Sequence, residues 1–362
     1  MVERADILLC GTGSFAARIL FDLAATAPRP VSVALAGRNA ARLAWMRTAA
    51  LARAAMFGRR VAVTLRDLDL ERSEQAAALV ATLRPKVVLQ AASAQAGGVI
   101  AGRANRWGTL VAAAGLSLTA VFQARLSVLA SRAVAARSPE SLFINCCYPD
   151  VANGIIAALG LPITCGIGNV AILANAFGGM LGEDARDLRV LAQYRTIAPF
   201  RLPPDQRAGV APPPRVWLGT SELQDVAARF ADVQLTPEPV IDISGAAAVP
   251  LLHAIAGGTS WRGHVPGPHG LPGGYPVAFE HGALRLDLPP GLTETEAIAW
   301  NDAFERRSGL VIENGTARYT GTVEQVLRSV SPDLAGGFAV RDLDEAYAAM
   351  QALRARLQAE PA

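Results

Sequence analysis

The sequence predicts an α/β fold, a doubly wound parallel sheet with a second α+β domain. Two observations carry this. From Asp6 onward, short apolar runs alternate with segments of helical periodicity, the signature of strand–helix–strand units. Beyond Gly168-Asn169 the alternation stops, and paired strand-like runs broken at His281-Gly282 and Asn314-Gly315 replace it. A chain of 362 residues, 51% hydrophobic, is long enough for two domains sharing an interface. The expected division is residues 1–160, then 161–335, with a C-terminal helix within 336–362 packing back on the first domain.

In order, Ile7–Cys10 is the first strand and feeds Gly11-Thr12-Gly13-Ser14-Phe15-Ala16. Ile19, Leu20 and Leu23 then recur at helix spacing. Strand, glycine turn and helix together give the context of a Rossmann-type dinucleotide site. Gly11 permits the turn, Gly13 keeps side chains away from a pyrophosphate, and Ala16 allows close packing of strand and helix. Free N–H groups at the helix start favour the phosphate charge. Val31 to Ala36 is a second buried strand, ending in Gly37-Arg38-Asn39. No Asp or Glu occurs between Ala25 and Arg66, so the usual acidic partner of a ribose 2′-hydroxyl is missing, and Arg38 stands there with Arg42 one turn later. A guanidinium binds a 2′-phosphate where a carboxylate repels it, and the expected cofactor is NADP(H). Its expected contacts are Gly11, Gly13, Ser14, Phe15, Arg38 and Asn39.

Ala40 to Phe57 is a helix ended by Gly58, and Val61 to Leu65 a third strand. Asp67, just after it, either contacts the base or ribose or is simply solvated. Ser73 to Leu83 is a helix capped by Ser73, and Val87 to Ala92 a fourth strand. Ser93-Ala94-Gln95-Ala96-Gly97-Gly98 follows at the carboxyl edge, where open α/β sheets bind ligands, so Ser93 and Gln95 are expected beside nicotinamide or ribose. Gly102 to Ala114 reads as a helix, Leu116 to Phe122 as a fifth strand, and Ala124 to Arg137 as a helix. Ser141 to Asn145 is a strand, Val151 to Leu159 a helix, and Ile163 to Gly166 a further strand. Pro199 to Pro214 reads as a surface connection or lid, Thr293 to Glu296 as a capping box opening a helix, and Asp342 to Ala359 as the final helix.

G-T-G-S-F-A, then V-A-L-A-G-R-N-A-A-R-L, then V-V-L-Q-A-A-S from Val87 to Ser93 resemble the NADP-binding half of the saccharopine dehydrogenase-like reductases. The resemblance covers roughly the first 130 residues. It implies an NADP-dependent oxidoreductase that passes a hydride from NADPH to a C=N carbon of an imine, formed from an amine and a keto acid, or to a C=O carbon. The stretch Ser93 to Gly98 departs from the family pattern and leaves the substrate open. Members that use a lysine for proton transfer have no counterpart here, because Lys86 is the only lysine and precedes a strand at the amino edge.

Two regions carry candidate chemistry. Asn145 to Gly154 (N-C-C-Y-P-D-V-A-N-G) lies at a strand-to-helix junction on the expected seam. Cys147-Tyr148-Pro149 is similar to the nucleophile segment of the N-acetylglutamyl-phosphate reductases, and a helix start would activate Cys147 for an acyl or semialdehyde mechanism. Asp150 beside it works against a thiolate. The alternative is that Asp150 caps the helix while Tyr148 and Asn153 line a pocket. The second region is Gly263 to Pro276, where Gly and Pro surround His264, His269 and Tyr275 in a shaped loop. No Cys, Asp or Glu nearby completes a ligand set, so no metal is expected. The proton is assigned to His269 or Tyr275, with Tyr148 and Asp150 facing them. His253, on an apolar run, reads as a core histidine. Arg195 and Arg201 are either holders of a substrate carboxylate or surface arginines.

A net charge of +3 gives no footprint for nucleic acid. No apolar run reaches the length of a membrane span, and the N-terminal residues are no signal peptide. Cys10, Cys146, Cys147 and Cys165 form no secretory framework, so a reduced, cytoplasmic protein is expected. Its partner is a small-molecule substrate, and the exposed edge of the second domain suits a homodimer. A non-catalytic NADP-binding sensor or scaffold is the rival from another class.

Overall fold

The computed structural model describes residues 4–95, 105–236 and 240–361. Ala96, Gly97, Gly98 and the expected helix start at Gly102 lie outside them.

Six parallel strands form one sheet: β1 (Ile7–Cys10), β2 (Val31–Gly37), β3 (Val61–Asp67), β4 (Val87–Gln90), β5 (Leu142–Asn145) and β6 (Cys165–Gly166). Their order is β3-β2-β1-β4-β5-β6. Chain direction across the sheet reverses between β1 and β4, whose carboxyl ends therefore open a crevice. The helices between them are α1 (Ser14–Thr26), α2 (Ala40–Met56), α3 (Ser73–Leu83), α4 (Arg106–Ala114), α5 (Ala120–Arg137) and α6 (Pro149–Ala158), with α7 (Val170–Leu181) leading out. This is a Rossmann-type parallel sheet with additional α+β elements.

Strand residues alternate between two apolar layers, as the two-residue period demands. Leu8, Cys10, Val88 and Phe143 face a core shared with α3 to α6, the helix Leu343–Gln358 and the hairpin Leu310–Glu313/Thr316–Tyr319. Ile7, Leu9, Val87, Leu89 and Ile144 face α1, α2, the helix Ala248–Gly257 and the three-stranded sheet of Trp261–Pro266, Gly274–Glu280 and Ala283–Leu286. A third apolar cluster gathers around α7, where Phe177 stacks on Phe230 at 3.9 Å and meets Phe200 edge-on at 5.2 Å. Among the described residues no helix is long and apolar enough to cross a membrane.

Both hairpins turn where expected, with His281 and Gly282 at φ 52° and 80° and Asn314 and Gly315 at 48° and 74°. Thr293 and Glu296 form the reciprocal capping box. Three readings need correction. The expected fifth strand, Leu116 to Phe122, is a short 3-10 turn, Leu116–Thr119, running into α5. Ser117 to Phe122 are all buried, which erases the polar face that would have marked the start of α5 as helical, whereas the rest of it, Ala124 to Arg137, is helical as expected. Ser73 is the first helical residue of α3, not its cap; Arg72 occupies that position without a side-chain bond. Asp150 is not a cap either, because the residue before α6 is Tyr148, held in the left-handed region at φ 47°.

Candidate functional site

A cleft of about 1110 Å³ runs along the carboxyl edge of β1 and β4. Gly11, Gly13, Ser14, Phe15, Arg38, Asn39, Ser93, Gln95, Cys147 and Tyr148 all line it, so one surface collects every cofactor contact expected from sequence and two of the expected catalytic groups.

The glycine turn explains its own residues. Gly11 sits at φ 139° against the β4 exit, where a Cβ would meet the Ala91 carbonyl carbon at 3.1 Å. A Cβ on Gly13 would meet nothing within 4 Å and would instead fill the cleft. Gly13 precedes α1 without a side-chain cap, and the first turn carries no acidic residue, leaving the first helical N–H groups for an anion. Arg42 donates to the Thr12 carbonyl at 3.3 Å and bolts the turn from beneath. Asn39 accepts from the Arg42 amide at 2.9 Å, so it serves α2 as a cap while lining the cleft.

The β4 exit is cross-braced. Gln90 brackets Ala92, and Ser93 donates to Gln123 at 2.9 Å and accepts from the Gln95 amide at 3.1 Å. The Gln95 side chain, 3% exposed, has no partner for its amide nitrogen or its oxygen among the described residues. Opposite stands a wall from the C-terminal helix: Tyr347, Gln351 and Arg354. The Arg354 guanidinium lies 4.2 Å from the centre of the Phe122 ring and donates to the Ala94 carbonyl at 3.4 Å.

The Asn145 to Gly154 segment builds the inner end. Asn145 accepts from Ser127 at 2.8 Å and from the Cys147 amide at 2.9 Å, and donates to Asn153 at 2.8 Å. Asn153 in turn donates to the Gly267 carbonyl at 2.9 Å, so it is structural and does not line the cleft. The Cys147 thiol donates to the Ala92 carbonyl at 3.2 Å, and burial pushes its pKa up to about 12. This corrects the nucleophile reading: the helix start does not overcome desolvation, and the thiol stays protonated. Burial raises Cys146 as well.

Tyr148 and Asp150 diverge. The Tyr148 hydroxyl is 2.8 Å from Ser117 Oγ, and its ring meets Tyr194 edge-on at 5.1 Å. The Asp150 carboxylate accepts from the Asn169 amide and, at 3.1 Å, from the Tyr194 backbone N–H. Burial raises its pKa to about 6. It lies beneath the cleft rather than on it.

The Gly-Pro region does not reach the cleft. His264 lies on the strand Trp261–Pro266, where its Nε2 accepts from the Val190 N–H at 2.9 Å, and burial lowers its pKa to about 4. His269 is exposed, with Nε2 3.0 Å from the Leu284 carbonyl. Tyr275 is fully buried and donates to the Pro272 carbonyl at 2.7 Å. The assignment of the proton to His269 or Tyr275 is therefore corrected: both are spent on holding the loop that joins two strands. His253 is half-exposed and 3.0 Å from Thr26 Oγ1, not a core residue. Arg195 donates to the Tyr194 hydroxyl at 3.1 Å and to the Ser308 carbonyl. Arg201 is half-buried at the end of a 3-10 helix, and neither arginine lines the cleft.

Sequence reasoning missed Ser117, Glu305, Gln193, Tyr194 and Arg354. Glu305 is 2% exposed and accepts three bonds, from Ser117 at 3.0 Å, Leu310 N–H at 2.8 Å and Gln193 at 2.6 Å. Burial pushes its pKa up to about 7. The one available signal was a glutamate within the apolar-faced helix Glu294–Ser308.

No protein-family model and no curated protein matches this chain. Solved structures do. The lactate dehydrogenase of Cryptosporidium parvum, complexed with lactic acid and nicotinamide adenine dinucleotide, has a TM-score of 0.52 at 16% identity, covering 84% of this chain and 96% of its own. The malate dehydrogenase of Picrophilus torridus in its apo form gives 0.53 at 12%, covering 83% and 94%. The lactate dehydrogenase of Eimeria maxima with NADH and oxamate gives 0.51 at 11%, covering 97% and 98%.

At these identities the likeness is one of fold. It nevertheless overturns the expected saccharopine dehydrogenase-like, NADP(H)-dependent enzyme: the matching chains are lactate and malate dehydrogenases, and the cofactors named with them are nicotinamide adenine dinucleotide and NADH. The imine chemistry rested only on that resemblance, and nothing in the fold match supports it. The physical cause of the misreading lies at Arg38. Asp69 and Glu71 line the same cleft, so the absence of acid along β2 did not make that end uniformly cationic. What the fold match shows is a Rossmann-type architecture, and within it the cleft joins the glycine turn to Tyr148.

Proposed function

We propose that this protein is an NAD(H)-linked oxidoreductase that interconverts the C=O of a small 2-oxo acid and the corresponding 2-hydroxy acid. The observation that carries the reading is a single cleft holding a cation, Arg354, and a phenol, Tyr148, together with an anion-ready helix start at Gly13. The fit to a dinucleotide rests on the open space over Gly13 and on the buried amide of Gln95, which has no partner among the described residues. When bound, the cofactor supplies or takes up the hydride.

The chain's own residues do the rest. The N–H groups at the start of α1 hold the diphosphate, and Gln95 offers both a donor and an acceptor to a carboxamide. Arg354 holds the substrate carboxylate, which leaves the oxidisable carbon between the two walls. Tyr148 exchanges a proton with the substrate oxygen. Residues 1–166, extended from 160 because β6 completes the sheet, are proposed together with the C-terminal helix within 336–362 as the cofactor-binding domain, with 167–335 as the second.

The test is the loss of NADH absorbance with a panel of 2-oxo acids, pyruvate and oxaloacetate included. Turnover with at least one is expected, and Arg354→Ala should raise its KM by about 10-fold or more while leaving NADH affinity unchanged. Calorimetric NADH binding without turnover of any 2-oxo acid would sink the reading in favour of a non-catalytic cofactor-binding protein.

A further inference from the structure

Behind Tyr148 the cleft wall continues into a chain of hydroxyls that the proposed reaction does not by itself require. Ser117 sits on the turn Leu116–Thr119, fully buried, with Oγ 2.8 Å from the Tyr148 hydroxyl and 3.0 Å from Glu305 Oε2. Glu305 comes from a helix nearly two hundred residues further along, and it also accepts from Gln193 and the Leu310 N–H. An ionised Glu305 only accepts, so the single Ser117 proton points to it. Ser117 Oγ then accepts from Tyr148 at 2.8 Å, with the Tyr194 hydroxyl beside both of them. Tyr148 lines the cleft, and a phenolic oxygen that donates one hydrogen bond keeps acceptor capacity for a second partner.

We infer that Tyr148, Ser117 and Glu305 form a proton relay linking the substrate oxygen in the cleft to a buried carboxylate. The inference rests on the proposed 2-hydroxy acid reading, in which Tyr148 meets the substrate oxygen. In the oxidation direction the substrate O–H proton passes to the Tyr148 oxygen, the Tyr148 proton to Ser117, and the Ser117 proton to Glu305. The hydride leaves the same carbon for NAD⁺, so the alcohol becomes a ketone and the carboxylate an acid. Reduction by NADH runs each transfer backwards, starting from protonated Glu305. Tyr148 is the catalytic member; Ser117 and Glu305 act through it.

Several groups face the carboxylate. Arg195, through the Tyr194 hydroxyl 3.4 Å from Ser117, favours the ionised form. Asp150 on α6 opposes ionisation, as does burial, and the balance places Glu305 near neutrality at about 7. A proton acceptor of that strength gives and takes a proton at working pH.

Two arms test this, both on the full-length chain. In the protein without cofactor, carbon-13 NMR of labelled glutamate carboxyls should follow Glu305 titration. Ser117→Ala and Tyr148→Phe should each raise its midpoint by about half a pH unit or more, because each removes a link that stabilises the carboxylate. No change in Tyr148→Phe overturns the relay whatever the substrate proves to be. In the second arm, NADH-dependent reduction of the reactive 2-oxo acid should weaken as pH rises through the Glu305 midpoint. Glu305→Gln should lose that limb and about 10²-fold in kcat with NADH affinity intact. Ser117→Thr should restore what Ser117→Ala loses. A folded Ser117→Ala with the wild-type kcat and pH profile overturns the relay. Shifted carboxyl midpoints in a protein that reduces no 2-oxo acid would preserve the relay and discard the proposed reaction.

Discussion

Gly11 presses against the backbone of Ala91: a Cβ on Gly11 would lie 3.1 Å from its carbonyl carbon and 3.2 Å from its oxygen. The contact joins the first turn of the chain to the exit of β4, the two lips of the crevice. Gly11→Ala combines this clash with a φ of 139° that side-chain-bearing residues rarely adopt. A loss of about 2 kcal/mol is expected, read as a lower urea midpoint with unchanged slope.

Gly13 tests the opposite condition. Its Cβ direction is open, so Gly13→Val should fold with the wild-type melting temperature, yet bind NADH at least about 10-fold more weakly by calorimetry. A variant that binds NADH normally would remove the diphosphate from this turn.

Cys147 should be dispensable. Its thiol is buried, protonated and engaged as a donor to Ala92, so Cys147→Ser is expected to keep turnover within about threefold. Alkylating reagents should react slowly with the folded protein, followed by mass spectrometry of the Cys147 peptide.

Two buried acids set a pH dependence of stability. Asp150 and Glu305 have folded-state pKa values raised to about 6 and about 7. The folded state therefore binds more protons than the unfolded state between their ordinary values and these. Stability should fall as pH rises from about 4 to about 7, then level off, by on the order of 2 kcal/mol for each acid. Urea unfolding across that range checks the sign. Stability that increases with pH would contradict it.

The legible parts of this protein were those written in local chemistry. The glycine turn, the Asn314-Gly315 and His281-Gly282 hairpins and the Thr293–Glu296 cap each need only adjacent residues to be understood. Alternation of apolar and polar positions was equally clear in α1 and α2, each of which buries a single face. It failed at Leu116 to Phe122, the 3-10 turn and first residues of α5, where burial makes a helical segment resemble a strand. The site was half legible for the same reason. Gly11 and Tyr148 lie beside recognisable turns, whereas Ser117, Glu305 and Arg354 meet only when distant elements pack. His269 and Tyr275 misled because a Gly-Pro loop with polar side chains has the composition of an active-site lid. Here Tyr275 satisfies the loop's own Pro272 carbonyl and His269 reaches the Leu284 carbonyl on the neighbouring strand.

The left-handed backbone at Tyr148 restricts which residues that corner tolerates. The chain leaves β5 and enters α6 through a non-glycine residue at φ 47°, a conformation that costs of order 1 kcal/mol and excludes β-branched side chains most strongly. In a saturation library scored for folding alone, Gly and Asn should therefore rank above Val, Ile and Thr at this position. Scored for turnover, the order should invert around the aromatic hydroxyl. The difference between the two rankings would measure how much conformational stability this corner gives up to hold a phenol at the edge of the cleft.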